Sequence, residues 1–263
     1  MFWVIGDIHG MLKPLEGLLA AIARRDASAN IIFVGDYVNR GPESKQVIDL
    51  LLTLPQATFL RGNHDDIFDL ILHGDCYTCH STAPDRMAAF TWFFQHGLAE
   101  TLTSYGADLA TLEHLVRKPS DKAIIDCVSI VPQAHRQFFR SLKPFYETAN
   151  FFVAHGYWNP DDADDSFQTA LENDERLKHL LLWGRFDEQD LWRKKRWKRR
   201  GVFGHTPVMT YAGSSGATPL QAEKLTLIDT AVALTSTGFL SAYCPEAGAI
   251  LQASRDGQTI ELY

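Results

Sequence analysis

Six side chains able to bind a metal recur at one kind of place in this sequence, after a short apolar run and beside glycine. They are Asp7 and His9 in FWVIGDIHG, Asp36 in IIFVGD, Asn63 in TFLRGN, His155 in FFVAHG and His205 in GVFGH. Carboxylate, amide and imidazole groups suit divalent cations of the manganese, iron or zinc kind. Any one motif alone reads equally as a turn, because Gly and Asp are ordinary turn formers. Strand alternation would send Asp7 and His9 out on the same side. Taken together, six ligands on five strand ends describe a two-metal centre with one shared carboxylate and ions about 3.5–4 Å apart. The matching chemistry is attack of a bridging hydroxide on phosphorus.

A parallel sheet would bring these groups together. Residues 2–5 predict a strand, 11–25 a helix with Leu12, Leu15, Leu18, Leu19 and Ile22 on one face, and 31–36 a strand. A helix begun by Gly41-Pro42 follows over 43–54, then a strand over 57–63 and a helix over 65–72. This is β-α-β-α-β at crossover spacing, and binding groups collect beyond the carboxyl ends of such strands. Residues 74–150 are helix-like and aromatic-rich around Phe90, Trp92, Phe93 and Phe94, so they are read as a helical cap inserted into a single domain over 1–263. The strand pattern resumes at 150–156. An acidic loop at 161–165, a helix near 166–181 and the strands GVFGHTP, KLTLIDT, GFLSAYC, GAILQAS and QTIELY complete the chain.

With 263 residues, 46% of them hydrophobic, the chain can bury a large core and disorder is not expected. No apolar run approaches the roughly 20 residues of a membrane span, and no export signal is read, so a cytoplasmic protein is expected. Four cysteines at this length make no disulfide framework. The net charge of −7 hides an asymmetry, because RKKRWKRR at 193–200 holds seven of the 25 basic residues, leaving 18 against 32 acids elsewhere.

From GDIHG through GDYVNRGPES, LRGNHD and VAHG to FGHTP, the chain resembles the phosphoprotein phosphatase branch of the calcineurin-like metallophosphoesterases, bacterial serine/threonine phosphatases included. The resemblance implies an α/β, four-layer sandwich of two mixed β-sheets flanked by helices, with two divalent ions, manganese first and iron or zinc as alternatives. It assigns Asp7, His9 and Asp36 to one ion and Asp36, Asn63, His155 and His205 to the other. It further implies that His64 protonates the leaving oxygen and that Arg40, with Arg185 in LLWGR, clamps the phosphate. Guanidinium forks suit a phosphoryl group whose charge disperses in the transition state. A surface salt bridge is the competing reading of Arg185.

One position departs from the pattern. The family's GDYVDRG is GDYVNRG here, so Asn39 stands where an aspartate would orient His64 and raise its proton affinity. A neutral amide can still orient the ring but cannot stabilise an imidazolium. That loss matters for an alkoxide leaving group, whose conjugate acid resembles water at pKa about 15.7. It matters little for a phosphate leaving from an anhydride, with a relevant pKa of about 6. The resemblance supplies a matching alternative, the related symmetrical diadenosine tetraphosphate hydrolases, which lack that aspartate and share the RGP and GNHD spellings. FGHTP and LLWGR favour the phosphatases, so phosphoserine and phosphothreonine proteins come first as substrates and the dinucleotide second.

CYTCH at 76–80 matches a c-type haem attachment spelling, but a cap loop is expected in a reducing compartment. DEQDLWRKKRWKRRG is read as one helix, acids first and bases last, rather than as a nucleic-acid patch. Ending five residues before His205, the run is expected to draw anionic substrates toward the metals through Arg199 and Arg200.

Overall fold

The structure, a computed structural model, describes residues 1–78, 82–159, 171–172, 174–214 and 217–262. The N-terminal third alternates β1 (Phe2–Ile5), α1 (Leu12–Arg25), β2 (Asn30–Phe33), α2 (Ser44–Leu51), β3 (Ala57–Phe59) and α3 (Asn63–His73). Helices follow: α4 (Arg86–Phe93), α5 (Ala99–Ser104), α6 (Leu109–Arg117), α7 (Asp121–Val128) and α8 (Gln133–Ser141). Then come β4 (Phe145–Glu147), β5 (Phe151–Ala154), α9 (Glu175–Trp183), α10 (Glu188–Trp192), β6 (Arg200–Phe203), β7 (Leu220–Gln221) and β8 (Leu225–Leu227). Strands β9 (Phe239–Cys244), β10 (Ala249–Ser254) and β11 (Thr259–Leu262) end the chain.

The strands form two mixed sheets flanked by helices, an α/β architecture. The first has the order β11-β10-β9-β1-β2-β3, parallel from β1 to β3 and antiparallel beyond β1 on the other side. The second has the order β4-β5-β6-β8-β7, with β5, β6 and β8 parallel and both edges antiparallel. Period-two alternation sorts their side chains. Val4 and Ile32 of one sheet meet Phe151, Val153 and Val202 of the other in a single apolar layer. Trp3, Ile5 and Phe33 turn outward to the core shared with α1, α2 and the helices of 63–141, and Phe152 and Phe203 turn to the opposite helical face. Among the described residues no helix is long and apolar enough to cross a membrane.

Several expectations need correction. Strands β2 and β3 stop at Phe33 and Phe59, short of their motifs, and Asn63 and His64 open α3 instead of ending a strand. The basic run is not a helix. Helix α10 ends at Trp192, and beyond it Lys195 and Trp197 are buried while Lys194, Arg196 and Lys198 are exposed, a period-two pattern of extended chain. Lys195 Nζ donates to Asp190 (2.7 Å) and Trp197 Nε1 to Asn159 (2.8 Å), which rewards that path over a helix. Arg199 and Arg200 lie at the amino end of β6, about 13 Å of strand from the end that carries His205. Arg199 pairs with Glu147 and Arg200 donates to the Ala222 and Glu223 carbonyls, so both brace the sheet far from the metal motifs. The helix near 166–181 is described only as α9, and the acidic loop 161–165 lies outside the described residues, as do Cys79 and His80 of CYTCH. Cys76 of that stretch is buried.

The helices of 86–141 touch the strand-end loops at a kink between α4 and α5. There Gly97 (φ +94°) lies against the Arg40 backbone so closely that a Cβ would stand 2.0 Å from Arg40 N. Gly106 has a similar φ (+101°) with nothing within 4 Å. Gly106→Ala therefore isolates the conformational cost, about 1–2 kcal/mol. Gly97→Ala adds a backbone collision and is expected to lower the unfolding midpoint clearly further in thermal denaturation. Equal losses would mean that the kink does not bear on the Arg40 loop.

Candidate metal centre

The strand-end loops are held in an unusual backbone state. His9 (φ 48°), Asp36 (57°), Asn39 (70°), Arg40 (68°) and His205 (66°) all lie in the left-handed region, as does Ala231 (61°). For L-residues this costs about 1–2 kcal/mol each, so surrounding bonds must impose it. The backbone N–H groups of Ile8 and His9 both donate to the Asp36 carbonyl (3.1 and 2.8 Å). The Asp65 carboxylate accepts from Asp36 N (2.7 Å), Tyr37 N (3.0 Å) and Gly62 N (2.9 Å), tying two loops together. Asp7 and His9 thus owe their placement to a turn after Ile5, which corrects the expectation of strand alternation.

These turns converge the expected residues. Ligand atoms of Asp36, His155 and His205 lie within 4.8 Å of one another, and so do those of His9, Asp36 and His64. Asp36 is common to both groups, which fits a shared carboxylate. Asn63 Oδ1 stands 3.0 Å from His155 Nε2 and 2.9 Å from His205 Nδ1. His9 Nδ1 donates to the Val38 carbonyl (2.9 Å) and His155 Nδ1 to the Val34 carbonyl (3.0 Å), leaving each Nε2 lone pair to face the cluster. Asp7 is buried beside Asp36, and its carboxylate accepts the His205 backbone N–H (3.0 Å). His64, expected only as a proton donor, sits inside the first group.

Burial sets the electrostatics of the cluster. Burial drives the Asp7 and Asp36 carboxyls well above the usual carboxylate range, and Asp229 beside Asp7 and Asp65 beside Asp36 push in the same direction. Asp229 is itself raised by burial, and burial lifts Asp65 to about 6 against its three backbone donors. Burial lowers His9, His64 and His205 well below the ordinary imidazole range, and His155 to about 3. Neutral imidazoles and crowded carboxylates are the forms that bind cations. Asp229 Oδ1 accepts from Ala231 N (2.9 Å), whereas its buried Oδ2 has no hydrogen-bond partner among the described residues. A buried carboxylate oxygen without a donor, next to the crowded carboxyls of Asp7 and Asp36, fits a divalent-cation site. Asp229, Asp65 and Thr101 escaped the sequence reading. For Asp229 the strand-then-acid spelling of LTLID was a usable signal.

The surroundings of His64 bear on proton transfer. Asn39 Nδ2 stands 2.9 Å from His64 Nδ1, and Arg40 Nη2 stands 3.3 Å from Nε2. Both ring nitrogens face donor groups, so among the described residues neither position offers an acceptor for a ring proton, and a doubly protonated ring is disfavoured. Thr101 Oγ1 donates to Asn39 Oδ1 (3.0 Å) and accepts the Asn39 backbone N–H (2.8 Å), which holds that amide in place. Arg40 also reaches His9 Nε2 (2.6 Å), and Arg185 Nη1 donates to Thr206 Oγ1 (3.0 Å). Arg40, Arg185, His64, His205 and Asn63 line one cleft together with Trp92, Phe93, His96 and Trp183.

If Asp229 supports the cation site through Asp7, Asp229→Asn should weaken manganese binding by about 10- to 100-fold, as outer-sphere changes commonly do. Calorimetric titration of metal-stripped protein measures this. Unchanged affinity would make Asp229 a folding residue only.

Residues 1–228 match the calcineurin-like phosphoesterase family. Proteins named symmetrical bis(5'-nucleosyl)-tetraphosphatase are similar over part of the chain. The one from Coxiella burnetii is 35% identical over 98 residues, covering 34% of each chain. The one from Pseudomonas putida is 39% identical over 104 residues, covering 36% of each. The match spans about a third of these relatives' length. Among solved structures, a cold-active protein tyrosine phosphatase shares the fold at TM-score 0.55 and 17% identity, over 99% of this chain and 78% of that one. A protein provisionally named diadenosine tetraphosphatase does so at TM-score 0.52 and 18% identity, over 100% and 93%. With most of its length matched to that family and its strand-end motifs gathered in one cleft, the chain belongs to the calcineurin-like phosphoesterases.

Proposed function

We propose that the protein is a two-metal hydrolase of nucleotide phosphoanhydrides, with symmetrical dinucleoside tetraphosphates, split by water into two nucleoside diphosphates, as its substrate class. The observation that carries this reading is His64, buried, with a donor group facing each ring nitrogen and, among the described residues, no carboxylate hydrogen-bonded to it. Such a ring supplies a proton poorly to a leaving oxygen. A nucleoside diphosphate leaves with a relevant pKa of about 6 and needs no proton, whereas a serine or threonine alkoxide does. The phosphoprotein reading that FGHTP and LLWGR favoured asks more of His64 than the anhydride reading does. The names of the partial relatives agree with the anhydride reading.

Asp7, His9, Asp36, Asn63, His155 and His205 would hold the two ions, manganese being the first to test. When bound, the ions supply a nucleophile at neutral pH and neutralise charge on the phosphoryl oxygens. Arg40, beside His9 and His64, and Arg185, beside His205 and Thr206, would grip the non-bridging oxygens and orient the chain of phosphates. His64 would donate a hydrogen bond to the anhydride oxygen without surrendering a proton, with Asn39 and Thr101 fixing the ring. Thr206 holds Arg185 in its cleft position.

The test is turnover of diadenosine tetraphosphate beside a phosphoserine peptide by manganese-loaded protein, with His64→Asn alongside. The dinucleotide is expected to win in kcat/KM and to give two ADP, and preference for the peptide would overturn the reading. In the same assays Asn39→Asp should increase peptide hydrolysis more than anhydride hydrolysis, because it restores the charge that stabilises an imidazolium. Equal effects would remove the leaving-group explanation.

A further inference from the structure

The catalytic cleft is polar at one end and aromatic at the other. Trp92 of α4 is 39% exposed, unusual for so large an apolar ring, yet it is held firmly. It stacks on Trp183 (centroids 5.7 Å apart, planes at 19°), and Trp183 in turn stacks with His179 (6.1 Å, 11°). Phe93 (5.0 Å) and His96 (5.6 Å) meet the Trp92 ring edge-on. The stack is also tied to the metal motifs, because His205 Nε2 donates to the Trp183 carbonyl (3.2 Å).

We infer that Trp92, backed by Trp183, is a stacking platform for a nucleobase of a substrate whose phosphates lie between Arg40 and Arg185. The inference rests on the anhydride reading of the centre and names what selects its substrate. Spacing favours a base over a simple aryl phosphate. The ring nearest His64 on this wall is Phe93 (5.0 Å), and Trp92 stands one ring further out. An aryl ester carries its ring one oxygen from phosphorus and would meet Phe93. A nucleobase is set off from the split anhydride by another phosphate and a ribose, and so reaches Trp92. Because the indole is already immobilised, little ordering entropy is lost on stacking. Every base offers a π-face, so the platform would tolerate different bases.

Two measurements on the manganese-loaded protein test this. In the first, the ratio of kcat/KM for diadenosine tetraphosphate to that for inorganic tripolyphosphate, an anhydride without a base, is compared between native protein, Trp92→Phe and Trp92→Ala. The ratio should fall roughly tenfold or more in Trp92→Ala, the size of a lost base–aromatic stack, and less in Trp92→Phe. An unchanged ratio would overturn the platform. In the second, ADP is titrated against native protein and Trp92→Ala by equilibrium dialysis, with inorganic phosphate as the base-free control. Weaker binding of ADP alone in the variant supports the platform even if the native enzyme prefers phosphopeptides, which keeps its fate separate from the anhydride reading. Equal losses for ADP and phosphate, or none, would show that Trp92 only packs the cap.

Discussion

The rest of the structure depends on burying four carboxylates, Asp7, Asp36, Asp65 and Asp229, at one end of two facing sheets. Each would cost several kcal/mol to ionise there without compensation. Asp65 is compensated by three backbone N–H groups, which is why it can close the loops around the centre. Among the described residues Asp7, Asp36 and Asp229 have fewer donors, and one oxygen of Asp229 has none. Arg40 relieves part of this repulsion. Bound cations would relieve the remainder, and the neutral histidines around them are already in ligating form. The left-handed residues follow from the same need, because only turns this sharp bring ligands from several strands so close together.

Burial that prepares ligands also shapes proton chemistry. His64 shares the desolvation that keeps its neighbours neutral, and Asn39 removes the charge that could reverse it. Thr101 of α5 fixes the Asn39 amide, and Gly97 lets the helical region press on the Arg40 backbone. The helices inserted between β3 and β4 therefore reach the reacting groups through named contacts. They also contribute Trp92 to the cleft wall. On the proposed reading, selection of the leaving group and of the substrate body would come from one side of the site.

The candidate ligands could be picked out because they sit in short strings, apolar residues followed by a polar group beside glycine, and five such strings recur. How the ligands come together was not legible. Nothing in GDIHG says that His9 is left-handed, since that conformation is imposed by bonds to Asp36 from a distant loop. Asp229 was missed because LTLID lacks the glycine that marks the other motifs. The basic run misled because charges at both ends suit a helix dipole, while burial of Lys195 and Trp197 on alternate residues decides for extended chain. Likewise, no local pattern tells that β9, β10 and β11 return to the first sheet while β6 and β8 join the second, because both sets read as similar short apolar strands.

The most direct measurement is the metal stoichiometry of the full chain, stripped of metal, reloaded with manganese and counted by elemental analysis alongside calorimetric titration. Two ions per chain, with the unfolding midpoint rising as they bind, are the expected result, since binding to the folded state alone stabilises it by mass action. One ion or none at saturation, or an unfolding midpoint that does not respond to manganese, would contradict a centre built on buried carboxylates awaiting two cations.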